Sequence, residues 1–293
     1  MGKASLFLMT QKGLEVLTSI IHNGYIELVD KIVIGRDANI QNDAAEEIET
    51  LCKKNKISYC YRTTAIESSS SYAIAVSWRW MIKLDNSCKL IVLHDSLLPK
   101  YRGFAPLVNQ LIKGENTVGV TALLASEEYD KGNIIGQESI EVKYPIKIQE
   151  AIELISPLYA MLVNKILQEI KTGKEISGLP QKEEEASYSL WRDDFDYRID
   201  WNEDAAEIVR FIHAVGYPYT GAQTLLNGNP VRVADAEEVP DVDIEIRQPG
   251  KVIFNIDQFP VIVCGKGLLK ITAMQDQNGN SVLPLQKFRS RFT

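Results

Sequence analysis

The sequence predicts an α/β protein in which a Rossmann-like, mostly parallel sheet domain precedes a small β-rich, barrel-like domain. Three observations support this prediction. Apolar strand-like runs alternate with helix-period segments over the first part of the chain. The charged run Lys182–Glu185 then interrupts the pattern. Beyond it, short apolar runs are separated by Asn-Gly and Pro-Gly pairs, which favour antiparallel hairpins.

The first domain is assigned to residues 1–185. Its predicted strands are 5–9, 29–35, 57–61, 72–76, 89–93 and 119–124. Its predicted helices are 12–21, 44–54, 105–113 and 148–171. Pro157 is a candidate break in the last helix, because proline has no N–H to donate. Strands that alternate with helices imply parallel pairing with right-handed crossovers.

The second domain is assigned to residues 190–293. A helix over 205–214 leads into five short strands, which are predicted at 224–226, 231–234, 252–255, 261–264 and 268–272. The intervening stretch 172–190 combines glycine, proline and the Lys182–Glu185 run. Such composition is typical of a solvated linker.

Composition describes an ordinary globular protein without a charge that would attract nucleic acid. The 293 residues are 45% hydrophobic and 24% charged, and the net charge is −7. A phosphate backbone binds surfaces of the opposite sign. The sequence therefore predicts no nucleic-acid partner.

The cysteines and the apolar segments indicate a cytoplasmic protein. The four cysteines form no CxxC pair, so we expect reduced thiols and no metal site. The first apolar run is too short for a signal peptide, and no run approaches the roughly 18 residues that a membrane span needs. A membrane partner is not expected.

Two strings carry the chemistry. The apolar run 89–93 leads directly into HDSLLPKYRG, from His94 to Gly103. A histidine in this position lies at the carboxyl edge of the sheet, where open α/β sheets bind ligands. The second string contains Asp130-Lys131-Gly132, and its aspartate follows His94 by 36 positions.

Together these strings resemble the folate-dependent formyltransferases, whose members act on methionyl-tRNA, glycinamide ribonucleotide or nucleotide sugars. The family motif reads Asn-x-His-x-Ser-Leu-Leu-Pro-x-Tyr-Arg-Gly, followed at this distance by Asp-x-Gly. Asp200-Trp201 and the string from Tyr217 to Ala222 resemble the barrel domain that follows the catalytic domain in tRNA and some sugar formyltransferases. One position departs from the motif, because Val92 stands where the family has asparagine.

The resemblance implies that a formyl group moves from N10-formyltetrahydrofolate, the co-substrate, to an amine. It implies catalytic roles for His94 and Asp130. An imidazole can take the amine proton or stabilise the developing oxyanion, and a nearby carboxylate fixes its tautomer. Without the resemblance, the two residues have simpler interpretations. A lone histidine is more often structural, and an Asp before Lys-Gly is an ordinary turn residue.

Because valine has no hydrogen-bond donor in its side chain, Val92 leaves open which residue stabilises the oxyanion. Residues 92 and 94 of a strand share a face, so the family asparagine would lie beside the histidine. Three explanations remain open. Another hydrogen-bond donor takes the place of the asparagine, the reaction runs more slowly without such a donor, or the protein binds folate or amine without transferring formyl. The candidate substitutes are Arg79 and Asn86; the simpler interpretation of Arg79 is an exposed or ion-paired loop residue.

Seven further residues are assigned to ligand binding. Trp78, Arg79, Ser96 and Gly132 are assigned to the cofactor, and Thr10, Lys12 and Arg102 to the substrate. Thr10 and Lys12 begin a helix, whose backbone amides suit a phosphate, although an ordinary cap explains them equally well. Tryptophan suits a flat pterin but more often packs in a core, and Arg102 either anchors its loop or binds an anion.

The acceptor is predicted to be a small amine, most plausibly an amino sugar on a nucleotide. Methionyl-tRNA formyltransferases in general carry basic loops and a basic barrel. Residues 191–293 instead hold 15 acids and 11 bases. The barrel would then serve packing or a homodimer. Methionyl-tRNA as acceptor, hydrolysis of the formyl group by water, and a non-catalytic folate- or sugar-binding protein stay open as alternatives.

Overall fold

The computed structural model describes residues 2–62, 70–82, 84 and 87–293. The chain divides into two compact units. One contains residues up to Leu107, Asn116–Val142 and Ala151–Leu190; the other contains Val108–Glu115, Lys143–Glu150 and Trp191–Thr293. The domain bounds 1–185 and 190–293 stay a prediction, because a division by contacts does not show that either part folds alone.

In the described part of residues 1–190, the chain forms nine strands and four α-helices. The strands are β1 (Ala4–Leu8), β2 (Val29–Ile34), β3 (Tyr59–Tyr61), β4 (Tyr72–Val76), β5 (Lys89–His94), β6 (Arg102–Gly103), β7 (Thr117–Leu124), β8 (Ile134–Glu141) and β9 (Tyr188–Ser189). The helices are α1 (Thr10–His22), α2 (Ala45–Lys54), α3 (Pro106–Lys113) and α4 (Ile148–Thr172).

Seven of these strands form one sheet, in the order β3-β2-β1-β4-β5-β7-β8. The strands from β3 to β5 are parallel, whereas β7 and β8 are antiparallel to their neighbours. The predicted Rossmann-like, mostly parallel sheet is confirmed. Its strand order reverses between β1 and β4, so a crevice forms where their carboxyl ends meet, next to that of β5.

Besides the two-residue strands β6 and β9, strand β8 and the course of α4 differ from the sequence prediction. Strand β8 was not predicted, because it is an edge strand whose residues are half-buried or exposed and offer no apolar run. The predicted break at Pro157 is wrong, since α4 runs unbroken through it. The Ser156 hydroxyl donates to the Ile152 carbonyl at 2.6 Å, one turn earlier.

One face of the sheet bears an apolar cluster that leads to the crevice. Its buried members are Phe7, Val33, Ala73 and Ala75. Phe7 pairs with Ala75, and Ala75 pairs with Val92, so a row of apolar side chains crosses β1, β4 and β5. Seven partly buried side chains pack against this cluster: Cys60, Trp78, Ile82, Leu84, Cys88, Leu90 and Val92.

The second unit contains an antiparallel sheet in the order β10-β11-β14-β13-β12. Its elements are α5 (Ala205–Ala214), β10 (Ala222–Leu226), β11 (Asn229–Val239), β12 (Val252–Ile256), β13 (Phe259–Val263) and β14 (Leu268–Gln275). The chain end pairs with both edges, since Thr293 bonds with Leu225 and Phe292 bonds with Gly250. The predicted β-rich second domain is confirmed as an antiparallel sheet.

Asp235 of β11 gives the second unit a defined acid sensitivity. Its carboxylate accepts from His213 at 2.9 Å and pairs with Lys147 at 2.7 Å. Burial alone would raise the pKa of Asp235, but these two partners outweigh it and lower that pKa to about 2.

We expect Asp235→Asn to lower the free energy of unfolding by about 1–2 kcal/mol at pH 7. The folded pKa lies below the unfolded value of about 3.9, so the stabilisation is present above it and lost as the pH falls towards 2. Urea unfolding of both proteins between pH 7 and pH 2 checks this. A difference that persists unchanged at the acid end would contradict it.

The cysteines are free thiols. Burial raises the pKa of Cys52 to about 11 and that of Cys264 to about 12, so neither is a ready nucleophile at neutral pH. Within the described ranges no three His, Cys, Asp or Glu side chains gather as a metal site would require. No helix in the same ranges is both long and apolar enough to cross a membrane.

Candidate active site

His94 ends β5 and is 7% exposed. Its Nε2 lies 2.8 Å from the Tyr101 carbonyl oxygen, and its Nδ1 lies 3.6 Å from Asp130 Oδ1. Both neighbours are hydrogen-bond acceptors, so each ring nitrogen can satisfy its neighbour only as a donor. To accept a proton from an amine, one nitrogen must exchange its present neighbour for that amine.

Asp130 is held in place by hydrogen bonds to its side chain and to its backbone carbonyl. Its Oδ2 accepts from the Gly103 N–H at 2.8 Å, which leaves Oδ1 facing His94. The residue has φ +57°, a left-handed conformation that Asp tolerates better than most residues. Gln181 then donates to the carbonyl oxygens of Asp130 and Gly132, at 2.7 and 2.9 Å. The structure thus brings together the two predicted catalytic residues.

Gly132 has room only for hydrogen. A Cβ at this position would collide with the Leu124 carbonyl group. The glycine therefore lets the Asp130 turn pack against the end of β7, which is a structural reason for the Asp-x-Gly pattern. Its assignment to the cofactor stays a prediction.

Ser96 is fully buried and stabilises the loop that follows β5. Its hydroxyl donates to the Lys100 carbonyl at 2.6 Å, and its own carbonyl accepts from Thr121 at 2.6 Å. Gln137 braces the same loop by donating to Leu98 O and to the Thr121 hydroxyl. These contacts occupy the Ser96 hydroxyl, so the structure favours a role in loop shape over contact with cofactor.

Arg102 anchors the loop that follows β5. It is 1% exposed, and its guanidinium donates to Gln181 and pairs with Glu183 at 2.8 Å. These contacts fit the anchoring role, and the assignment of Arg102 to substrate stays a prediction. Arg102, Gln181 and Asp130 form one continuous network behind His94.

The stretch 172–190 is more than a linker. Most of it is exposed, as the sequence suggested. Yet β9 pairs with β6, the Ser187 hydroxyl accepts from Tyr101 N at 3.0 Å, and the Ser189 hydroxyl donates to Tyr101 O at 3.3 Å. The solvated-linker interpretation is therefore corrected: this stretch forms part of the wall that holds the His94 loop.

Lys12 does not point freely into the crevice. Its ammonium pairs with Asp95, whose other oxygen accepts from the Tyr159 hydroxyl. Burial raises the pKa of Asp95, but the Lys12 charge and these two hydrogen bonds outweigh it and keep the pKa below its usual value. The pair ties α1 and α4 to the residue after His94. Lys12 is thus engaged within the protein, and its contact with substrate stays a prediction.

Three polar atoms near the crevice are buried and have no partner among the described residues. They are Thr10 Oγ1 after β1, and Ser77 Oγ and Trp78 Nε1 after β4. Thr10 and Ser77 both have left-handed backbones, with φ +61° and +53°. Unsatisfied buried polar groups are uncommon and mark places where a ligand can supply the missing hydrogen bonds. These atoms fit the predicted binding of ligand at Thr10 and Trp78.

Arg79 is held away from His94. Its guanidinium pairs with Asp37 at 2.8 Å. Asp37 follows β2, which β1 and β4 separate from β5 in the sheet. The ion-paired interpretation fits this geometry better than the oxyanion-donor role. Asn86, the other candidate donor, lies outside the described residues.

Sequence reasoning missed the supporting residues Gln181, Ser187, Ser189 and Asp95. The first three act across about 50 to 90 positions of chain, as their contacts with Asp130 and Tyr101 show. Their only sequence signal was a polar stretch, which equally describes a linker. Asp95 lay inside the recognised motif, but its partners on α1 and α4 carry no pattern that joins them to it.

Comparison with known proteins decides the family. A sequence profile described as "Formyl transferase" matches residues 84–153, and one described as "Formyl transferase, C-terminal domain" matches residues 193–291. The chain belongs to the formyl transferase family. The recognition made from His94, Asp130 and their strings is confirmed.

One relative by sequence is a methionyl-tRNA formyltransferase of Caldanaerobacter subterraneus subsp. tengcongensis. It is 31% identical over 198 residues, which cover 68% of this chain and 62% of that protein. The chain thus matches less than two thirds of its curated relative.

Two solved structures share the fold. An N-formyltransferase from Helicobacter canadensis, in complex with folinic acid and dTDP-3-aminofucose, superposes with a TM-score of 0.67 and 15% identity. That match covers 92% of this chain and 99% of the other. HypX from Aquifex aeolicus, in complex with tetrahydrofolic acid, gives a TM-score of 0.64 and 19% identity, covering 96% of this chain and 45% of HypX.

Proposed function

We propose that this protein is an N-formyltransferase that moves the formyl group of N10-formyltetrahydrofolate to a small amine, an amino sugar carried on a nucleotide. The observation that carries the proposal is the His94–Asp130 pair at the carboxyl edge of the sheet. His94 ends β5, and hydrogen bonds to the Tyr101 carbonyl and from the Gly103 N–H fix the two residues beside each other.

The transfer makes one bond and breaks another. The amine nitrogen forms a bond to the formyl carbon, the C–N10 bond breaks with its electron pair returning to N10, and the amine's lost proton matches the one that N10 gains. His94 is placed to carry that proton, and Asp130 orients the ring and stabilises its charged form. Backbone contacts fix Asp130, so its position does not depend on substrate.

The crevice suits a folate. Trp78 offers an aromatic ring, and its own indole nitrogen is one of the unpartnered polar atoms. Thr10, Ser77 and Trp78 are the residues that would hold polar groups of a bound ligand. A flat ring system with several hydrogen-bonding atoms fits this donor set.

Charge favours a small acceptor over tRNA. The whole chain carries −7, and residues 191–293 have four more acids than bases. Binding a phosphate backbone needs the opposite sign. The fold neighbour from Helicobacter canadensis was solved with a nucleotide-linked amino sugar. The homodimer expected for the barrel stays a prediction.

Methionyl-tRNA is the competing acceptor, because the curated relatives by sequence are methionyl-tRNA formyltransferases. We expect no measurable affinity for initiator tRNA at physiological salt. A filter-binding titration at several salt concentrations checks this, and a basic tRNA-binding protein provides the positive control. Salt-dependent binding near 10⁻⁶ M or tighter, about the strength of non-specific nucleic-acid contacts, would contradict it.

A further inference from the structure

Formyl transfer needs a hydrogen-bond donor that His94 cannot supply. Negative charge develops on the formyl oxygen as the amine attacks, and such charge is stabilised by a fixed donor. Both His94 nitrogens already face acceptors, and one must also handle the amine proton. Val92, the neighbour of His94 on the same face of β5, is apolar. The face beside the histidine therefore needs a donor from another strand.

We infer that the indole N–H of Trp78 is this donor. The inference rests on the proposed function and adds one residue to it. Trp78 follows β4, the strand next to β5. Its Nε1 is buried and has no acceptor in the described part of the chain. Indole nitrogen only donates, and a buried donor left unpaired destabilises the protein until a ligand acceptor supplies the missing hydrogen bond.

Packing places Trp78 on the face of the sheet that bears Val92. Ser77, with φ +53°, turns the chain at the end of β4. The Trp78 ring then stands edge-on to Phe7, with centroids 5.1 Å apart and planes at 76°. Phe7, Ala75 and Val92 form one row across three strands, and Trp78 and Val92 pack on the same apolar cluster.

The surroundings hold the indole rigid. Trp80 contacts Trp78 edge-on at 5.2 Å, so Trp78 is clamped between two aromatic rings. A clamped donor in an apolar setting is oriented before the reaction and does not need to reorganise. The Trp78 N–H keeps its proton throughout and contributes only a hydrogen bond.

Thr10 and Ser77 are weaker candidates. Their hydroxyls are also buried and unpartnered. A hydroxyl can rotate and can accept as well as donate, so neither fixes a donor at one point. Neither residue belongs to the apolar cluster that Trp78 shares with Val92.

The first test removes the N–H and keeps the ring. We expect Trp78→Phe to lower kcat about 10²-fold, as the loss of one oxyanion donor does, and to change the KM for the folate by less than about threefold. Trp191→Phe removes an exposed indole from the second unit and is the matched control, with kcat expected within about threefold of wild type.

The second variant restores a donor from β5. Adding Val92→Asn to Trp78→Phe should recover at least about tenfold in kcat, because an amide then stands beside His94. If Trp78→Phe keeps kcat within about threefold, the inference is wrong. A loss that Val92→Asn leaves unrestored, together with a raised folate KM, would assign Trp78 to folate stacking and also overturn the inference.

A readout independent of turnover separates this inference from the proposed function. The chain has four tryptophans, so ¹⁵N-labelled indole signals can be assigned by single substitution. We expect 10-formylfolate to move the Trp78 N–H proton downfield, and folic acid, which lacks the formyl group, to leave it nearly unmoved. Equal shifts with both compounds overturn the inference alone. If neither 10-formylfolate nor folic acid binds, the proposed function is overturned, and the inference with it.

Discussion

Replacing His94 by alanine is expected to abolish formyl transfer, with a loss of at least about 10³-fold in kcat. Under the proposed function, the substitution removes the group that would carry the proton between the amine and the departing folate nitrogen. Folate affinity should change little, because the unpartnered polar atoms of the crevice lie after β1 and β4. Steady-state release of tetrahydrofolate measures the first effect, and isothermal titration with 10-formylfolate measures the second.

His213→Ala is the matched control for this loss. His213 is also buried and also paired with an aspartate, but it lies in the second unit. We expect its removal to reduce thermal stability and to leave kcat near the wild-type value. Equal losses of kcat in both variants would show that buried histidines act through folding, and His94 would lose its catalytic assignment.

The second large effect is expected for Asp130→Asn, with a loss of about 10²-fold in kcat. An asparagine can still accept from the Gly103 N–H, so the loop keeps its shape. It carries no charge, and its amide can present a donor instead of an acceptor to His94 Nδ1. The ring then loses both its orientation and the stabilisation of its charged form.

Glu128→Gln controls for a general loss of acidity in the same loop. Glu128 is exposed and pairs with Lys131 at 2.7 Å. We expect kcat for this variant to stay within about threefold of wild type. If Asp130→Asn behaves like Glu128→Gln, Asp130 is a turn residue and no more.

The sequence was sufficient where local chemistry decides the structure. Five parallel strands followed from apolar runs, and His94 followed from the run 89–93 that delivers it to the sheet edge. Asp130 was found through the resemblance to the formyltransferase motif, in which an Asp-x-Gly follows the histidine at this distance. That glycine has a physical reason, since the Leu124 carbonyl leaves no space for a side chain.

The sequence could not predict which distant residues pair with the arginines near the site. Arg102 and Arg79 are both arginines near a predicted site, and nothing local tells a buried anchor from a ligand contact. The structure separates them through their partners: Glu183 and Gln181 for Arg102, and Asp37 for Arg79. Strand β8 was not predicted for a different reason: a half-exposed edge strand lacks the apolar periodicity on which prediction of a strand depends.

The most direct measurement follows a ¹³C-labelled formyl group. Wild type and His94→Ala are each incubated with labelled N10-formyltetrahydrofolate and a panel of nucleotide-linked amino sugars, and the label is located by NMR and mass spectrometry. We expect wild type to place the label on the amino nitrogen of one sugar, and His94→Ala to leave it on the folate. Label released as formate would show a hydrolase. Label left on bound folate by wild type, with initiator methionyl-tRNA also tried, would show a binding protein and contradict the proposed transfer.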